Sequence, residues 1–78
     1  MKQLLNRITF NNEVLRGKPT IRGMRISVEM ILELLAKGST NQEILEDFPD
    51  LEPEDIQAAL LYTHDMLTQE ELFDRSVA

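Results

Sequence analysis

Residues 40–60, TNQEILEDFPDLEPEDIQAAL, contain the pattern that decides the fold. Thr40 opens a capping box, in which a threonine and a glutamate three residues later satisfy each other's free backbone N–H groups. Pro49 ends this helix, because the residue before a proline is pushed out of helical geometry. Pro53 then occupies a preferred first position of the next helix. The turn at 49–52 is short enough to indicate a tight angle between the two helices, as in a helix-turn-helix.

A supporting helix precedes this pair, between Ser27 and Gly38. Serine is a good N-cap because its hydroxyl accepts a free backbone N–H, and glycine is common just past a helix end. The apolar residues that recur on one helix face between them are Val28, Ile31, Leu32 and Leu35. The periodicity alone predicts a small three-helix domain, and the short turn extends this to a helix-turn-helix.

The helix that starts at Pro53 is the candidate recognition helix. Its apolar spacing predicts a buried stripe made of Ile56, Ala59, Leu60, Thr63 and Leu67. The residues left facing outward are Glu54, Asp55, Gln57, Ala58, Leu61, Tyr62 and Asp65. Because these include carboxylates and no cation, we expect the helix to read DNA grooves poorly.

Apolar side chains on the same helix suit contact with a protein partner. The candidates for this contact are Leu61, Tyr62 and Met66. The alternative is that these three side chains pack within the chain, on a last helix or on the N-terminal segment.

The N-terminal third carries most of the positive charge. Residues 1–25 have six cations against one acid, a net charge of +5, whereas residues 26–78 have two cations against thirteen acids, a net charge of −11. Alternation at residues 7–10 predicts a short strand, and a small hairpin arm is expected over residues 7–27. Its candidates for binding nucleic acid or another anionic partner are Arg16, Lys18, Arg22 and Arg25. Pairing with the acidic body, contact with phosphates and contact with an acidic protein all remain open.

Several function classes are disfavoured. Gly17-Lys18 is not a phosphate loop, because the motif needs a glycine five positions earlier and position 12 is asparagine. His64 is the sole histidine and there is no cysteine, so we expect no metal site, no cofactor and no enzymatic activity. The sequence has no apolar stretch long enough to span a membrane. We expect a cytoplasmic protein.

The order of motifs along the chain resembles the domain-of-unknown-function family 433, which is also described as antitoxin-like. The segments that carry the resemblance are Arg7-Ile8-Thr9, GKPTIRGMRISV at 17–28, LLAKG at 34–38, EILEDFPDL at 43–51 and EDIQAAL at 54–60. One departure is Glu52, because the family commonly has a serine or threonine N-cap there.

The resemblance implies a mainly α, homeodomain-like or winged-helix-like helix-turn-helix fold with a short N-terminal β-element. It places the antitoxin-like domain at residues 7–67, followed by a short C-terminal helix or tail at 68–78. It also implies a non-enzymatic role in a prokaryotic type II toxin–antitoxin pair, with a cognate PIN-like ribonuclease as partner. Operator DNA and a homodimer are further expected partners. A DNA-binding regulator and a structural dimerisation module are the alternatives.

Overall fold

The chain is mainly helical, with a small antiparallel sheet near its N-terminus. The computed structural model describes residues 2–77, and the side chains of residues 3–69. In chain order the elements are α1 (Lys2–Leu5), β1 (Ile8–Thr9), a 3-10 turn (Leu15–Gly17), β2 (Thr20–Ile21), α2 (Val28–Ala36), α3 (Asn41–Asp47) and α4 (Pro53–Val77). The predicted helix-turn-helix fold with a short β-element is therefore confirmed, and α1 is an addition that the sequence pattern did not predict.

The hairpin arm is part of the core. Ile8 lies opposite Ile21 and Thr9 opposite Thr20 in the antiparallel pair, and the two threonine hydroxyls are 3.0 Å apart. The two isoleucines are buried and belong to the same apolar cluster as the helices. The arm is consequently anchored to the helical body along its whole strand pair.

The predicted helix ends of α2 and α3 are confirmed. The Ser27 hydroxyl accepts the backbone N–H of Met30, and Thr40 forms the full capping box. At the end of α2, Gly38 has a φ of +101°, which glycine adopts without strain. The N–H of Gly38 donates to Leu35 and that of Ser39 to Leu34, the bond pattern of a Schellman motif.

The buried face of α4 differs from the predicted one. Leu60 and Leu67 were expected inside but are 46% and 54% exposed, whereas Asp55 and Ala58 were expected outside and are fully buried. Residues three or four apart share a helix face, so the buried face runs from Asp55 through Ala58 and Ala59 toward the partly buried Tyr62. Ile56 and Ala59 are buried as predicted, so the buried face overlaps the predicted one but is rotated toward Asp55 and away from Leu60 and Leu67.

The C-terminal segment also differs from its prediction. A short C-terminal helix or tail was expected at 68–78, but α4 continues through Thr68 to Val77. The Thr68 hydroxyl donates to the carbonyl of His64 at 2.8 Å, a bond made inside a helix. The side chains beyond residue 69 lie outside the described residues. No helix in the described range combines the length and low polarity needed to cross a bilayer.

Candidate functional site

A buried carboxylate joins the hairpin arm to the start of α4. Asp55 is fully buried. Arg7 Nη1 lies 2.9 Å from its Oδ1, and Arg22 Nη2 lies 2.9 Å from its Oδ2. The backbone N–H of Glu52 donates to the same Oδ2 at 2.8 Å. Asp55 therefore supplies one half of a capping box, which lets α4 begin although its N-cap position, Glu52, is neither serine nor threonine.

In this ionic clamp, formed by Arg7, Arg22 and Asp55, the carboxylate is stabilised by two arginines and stabilises both of them. Burial by itself raises the pKa of Asp55, but hydrogen bonds from Arg22, the Glu52 N–H and Arg7 outweigh it, and the pKa lies below the ordinary value of 3.8. Hydrogen bonds to Glu52 and Asp55 raise the pKa of Arg7, and the bond to Asp55 raises that of Arg22. The three groups stay ionised at neutral pH.

The clamp predicts a specific pH dependence of stability. Because the pKa of Asp55 is lower in the folded chain than in the unfolded one, its contribution is fully present above its ordinary value of 3.8 and is lost as the pH falls through the folded value. The unfolding free energy of the wild type should fall toward that of an Asp55→Asn variant on acidification. Urea unfolding between about pH 7 and pH 2 measures the difference in unfolding free energy between the two proteins. A difference that stays constant over that range would contradict the stabilising role of the Asp55 charge.

The guanidinium group of Arg22 forms hydrogen bonds within the chain. Besides the carboxylate, its Nη2 donates to the carbonyl of Asp50 at 2.8 Å, and its own φ is +44°. Of the three interpretations left open for the basic residues, pairing with the acidic body is the one that the structure shows for Arg22. The guanidinium group of Arg22 is therefore already bonded to a carboxylate and a carbonyl of the chain.

The other three predicted cations line one surface depression. This basic groove has a volume of about 470 Å³ and is lined by Leu15, Arg16, Lys18, Arg25, Ser27 and Met30. Lys18 Nζ forms an exposed ion pair with Glu29 at 3.0 Å. Arg16 and Arg25 form no salt bridge with any side chain in the described range 3–69. The sequence placed these residues on one arm, and the fold brings them to one groove.

One wall of the basic groove is a left-handed turn. Leu15 and Arg16 have φ values of +51° and +58°, followed by Gly17 at +80°. For a residue with a side chain this conformation costs about 1–2 kcal/mol. Alanine at position 17 would be strained because of the φ of +80°, whereas the contact of its Cβ with Asn12 Oδ1 at 2.7 Å involves the end of an exposed side chain that can move aside. Sequence reasoning missed the turn, because neither leucine nor arginine signals a positive φ.

The predicted protein-contact residues fall in two places. Tyr62 and Met66 line an apolar cleft of about 310 Å³ together with Val28 and Leu32. The Tyr62 ring also packs against that of Phe10, with centroids 6.0 Å apart. Tyr62 is thus partly committed to packing inside the chain, whereas Met66 is 46% exposed. Leu61 is half-buried and does not line the cleft.

Most side chains at the described end of α4 are exposed to solvent. Within the segment 64–69, which we call the free segment, Asp65 is half-buried and the other side chains are exposed. Exposed Leu60 precedes this segment on the face that also holds Leu67. Sequence reasoning missed both leucines as surface residues, because an apolar residue at helical spacing is normally assigned to the core.

Comparison with protein families identifies the chain. A family model described as "Protein of unknown function (DUF433)" matches residues 8–63. The chain belongs to the DUF433 family. The match includes the whole basic groove and the clamp residues Arg22 and Asp55, and it ends before the free segment of α4.

Two relatives extend this assignment. The uncharacterized protein y4eO of Sinorhizobium fredii is 33% identical over 55 residues, which cover 70% of this chain and 25% of that protein. This chain thus spans about a quarter of the length of that curated relative. The crystal structure of a DUF433 member protein from Anabaena variabilis matches with a TM-score of 0.74 and 30% identity, over 97% of this chain and 72% of the other. The fold is therefore that of a solved DUF433 protein.

The sole histidine of this DUF433 chain lies on α4. His64 is exposed, and its Nδ1 lies 3.3 Å from the neighbouring Asp65 carboxylate. Within the described range, no three histidine, cysteine, aspartate or glutamate residues form a group that could hold a metal ion. The surfaces that the geometry offers are the basic groove, the apolar cleft and the exposed side of α4.

Proposed function

We propose that this DUF433 chain is a non-enzymatic, antitoxin-like cytoplasmic protein that binds and neutralises a PIN-like ribonuclease toxin. The exposed side of α4 is the observation that carries the proposal. Leu60 and Leu67, seven residues apart on one helix face, are 46% and 54% exposed, whereas Met66 lines the apolar cleft on another face and is 46% exposed. An apolar helix face that the described residues leave uncovered suits insertion into a groove of a partner.

Charge supports a ribonuclease as the partner. Residues 53–69 contain no lysine or arginine, and the free segment follows directly on a body that is rich in acids. An enzyme that binds RNA has a positively charged substrate groove. Outside the clamp, α4 has two carboxylates over residues 53–69, those of Glu54 and Asp65, and no lysine or arginine. Its charge is therefore compatible with such a groove, and occupying the groove would block access of RNA by occlusion.

The lack of lysine and arginine over residues 53–69 also disfavours a regulator that reads DNA with α4. Cations or amide side chains usually make the base contacts in the major groove, and the outward side of α4 offers Gln57 near its start together with Glu54. Repression of its own operon as a homodimer, if it occurs, would need DNA contacts outside α4. The antitoxin proposal does not depend on such repression.

Co-expression with the product of the neighbouring gene tests the proposal, which expects that product to be a PIN-like ribonuclease. We expect growth rescue and co-purification with the wild-type chain. The Leu60→Ala/Leu67→Ala double variant should bind the ribonuclease about tenfold or more weakly, because it removes two apolar side chains from the contact. A tenfold change corresponds to about 1.4 kcal/mol of binding free energy. Both positions are exposed, so the stability of the free chain should change by less than about 0.5 kcal/mol per site.

A matched control separates specific contact from general loss of apolar surface. Phe10→Ala also removes an exposed apolar side chain, one that is 60% exposed, from the arm; because this ring packs against Tyr62, circular dichroism is used to verify that α4 is unchanged in the variant. Affinity for the ribonuclease should change little in this variant. Failure of the wild-type chain to rescue growth and to co-purify would overturn the antitoxin proposal.

A further inference from the structure

The basic groove lies apart from the exposed leucines of α4, although Lys18 also lines the apolar cleft with Tyr62 and Met66. None of its six lining residues lies on α4, since all come from residues 15–30. We propose that the groove binds the phosphodiester backbone of nucleic acid, with Arg16, Lys18 and Arg25 contacting phosphate oxygens. This proposal concerns a second surface and stands independently of toxin neutralisation.

Charge within the groove is the first support. Three of the six lining residues are cationic and none is acidic, in a chain whose formal net charge is −6. Arg16 and Arg25 make no salt bridge among the described side chains, so their guanidinium groups are available to a ligand. The pair between Lys18 and Glu29 joins side chains that are 57% and 74% exposed. Such exposed pairs are weak, and a phosphate can take the place of the carboxylate.

The backbone that positions these cations is fixed. In the left-handed turn, the N–H of Gly17 donates to Val14 and that of Lys18 donates to Leu15. On the other side, Arg25 lies in the tight connection closed by the bond from Ile21 N–H to the Ile26 carbonyl. Positive φ at residues with side chains tends to occur at ligand-binding sites, where the surrounding structure enforces it. The turn thus holds Arg16 at the groove without the freedom of an ordinary loop.

The N-terminus of α2 adds to the positive potential. Ser27, its N-cap, and Met30, in its first turn, both line the groove. The start of a helix carries a partial positive charge, which favours an anion at this position. Leu15 and Met30 provide apolar surface that the sugar between two phosphates can cover.

A phosphodiester backbone suits this groove better than an acidic protein does. Duplex DNA presents one negative charge per about 1.7 Å of helix axis. Cations spread along an open groove can therefore contact phosphates without being arranged at particular distances from one another. A protein partner would have to place its carboxylates opposite each cation. The planar guanidinium group also matches phosphate geometry with two parallel hydrogen bonds.

Fluorescence anisotropy with a labelled duplex DNA tests the site. A duplex of about 20 base pairs is about 68 Å long at 3.4 Å per pair, which exceeds the longest dimension of the protein, 44 Å. With three phosphate contacts, the logarithm of the binding constant should fall with the logarithm of salt concentration with a slope of about −2.7. The Arg16→Gln/Arg25→Gln variant should reduce the slope to about −0.9 and weaken binding at about 20 mM salt by at least tenfold.

Two controls accompany this variant. Lys37→Gln removes an exposed cation that pairs with Glu33 and does not line the groove, so it should leave the slope unchanged. The Leu60→Ala/Leu67→Ala variant should bind DNA like the wild type, which separates this site from the contact with the ribonuclease. Circular dichroism verifies that each variant is folded. A single-stranded RNA of the same length distinguishes the two sources of the backbone, and the polymer that binds more tightly is the ligand.

Three outcomes would overturn the proposal. The first is that the wild-type chain binds neither DNA nor RNA at about 20 mM salt, where non-specific electrostatic binding is strong. The second is that the slope is the same in the wild type and in Arg16→Gln/Arg25→Gln. The third is that this variant keeps its nucleic-acid affinity but no longer binds the ribonuclease, which would assign the groove to a protein partner.

Discussion

Replacing Asp55 with asparagine is expected to lower the free energy of unfolding by about 2–4 kcal/mol. The amide keeps the size of the side chain but removes the charge that two arginines approach at 2.9 Å. It also weakens the acceptor for the N–H of Glu52 at the start of α4. We place the loss toward the lower end of the range for buried ion pairs, because the arginines are partly exposed and regain water.

Chemical and thermal unfolding followed by circular dichroism measure this loss. A chain of 78 residues has a total stability of about 4–12 kcal/mol, so the variant would lose a large fraction of it. Asp47→Asn is the matched control, because this aspartate is exposed at the end of α3, where a negative charge is not favoured. Equal stability of the two variants would show that the clamp contributes nothing.

Replacing Ile21 with alanine is expected to destabilise the chain by about 2–5 kcal/mol. Ile21 is fully buried and lies in β2, opposite Ile8, so the truncation leaves a cavity between the arm and the helices. Since Arg22 follows directly, a shift of β2 would also disturb the clamp. The urea midpoint should fall markedly without a comparable change in the dependence on denaturant.

Ile26→Ala provides the comparison for this variant. Ile26 lies on the same arm and has the same side chain, but it is only half-buried, and the expected loss is correspondingly smaller. If the two variants were equally stable, the arm would be a peripheral attachment and not a part of the core.

The helices and their ends could be predicted because their signals are local. The N-cap at Ser27, the capping box at Thr40 and the start of α4 at Pro53 depend on residues a few positions apart, and all three are present. The rotation of α4 could not be predicted in this way. It depends on Asp55 being drawn inward by arginines more than thirty residues away, and a hydrophobic pattern contains no information on such a partner.

The candidate site was predicted only in part for a similar reason. The four basic residues of the arm are close in sequence, but whether each faces the acidic body or the solvent depends on tertiary structure. Arg22 turns to Asp55, whereas Arg16 and Arg25 line the basic groove. The exposed leucines of α4 were missed because the same rotation that buries Asp55 carries Leu60 and Leu67 to the surface.

The clamp also has a consequence for when this chain can fold during synthesis. Arg7 and Asp55 are 48 positions apart, so the arm leaves the ribosome well before the carboxylate that neutralises it. Domains generally fold as units, and contacts between distant positions slow that step. The cations of the arm therefore stay hydrated and unpaired with Asp55 until the start of α4 has emerged. We expect the arm and the helices to become ordered together after that point.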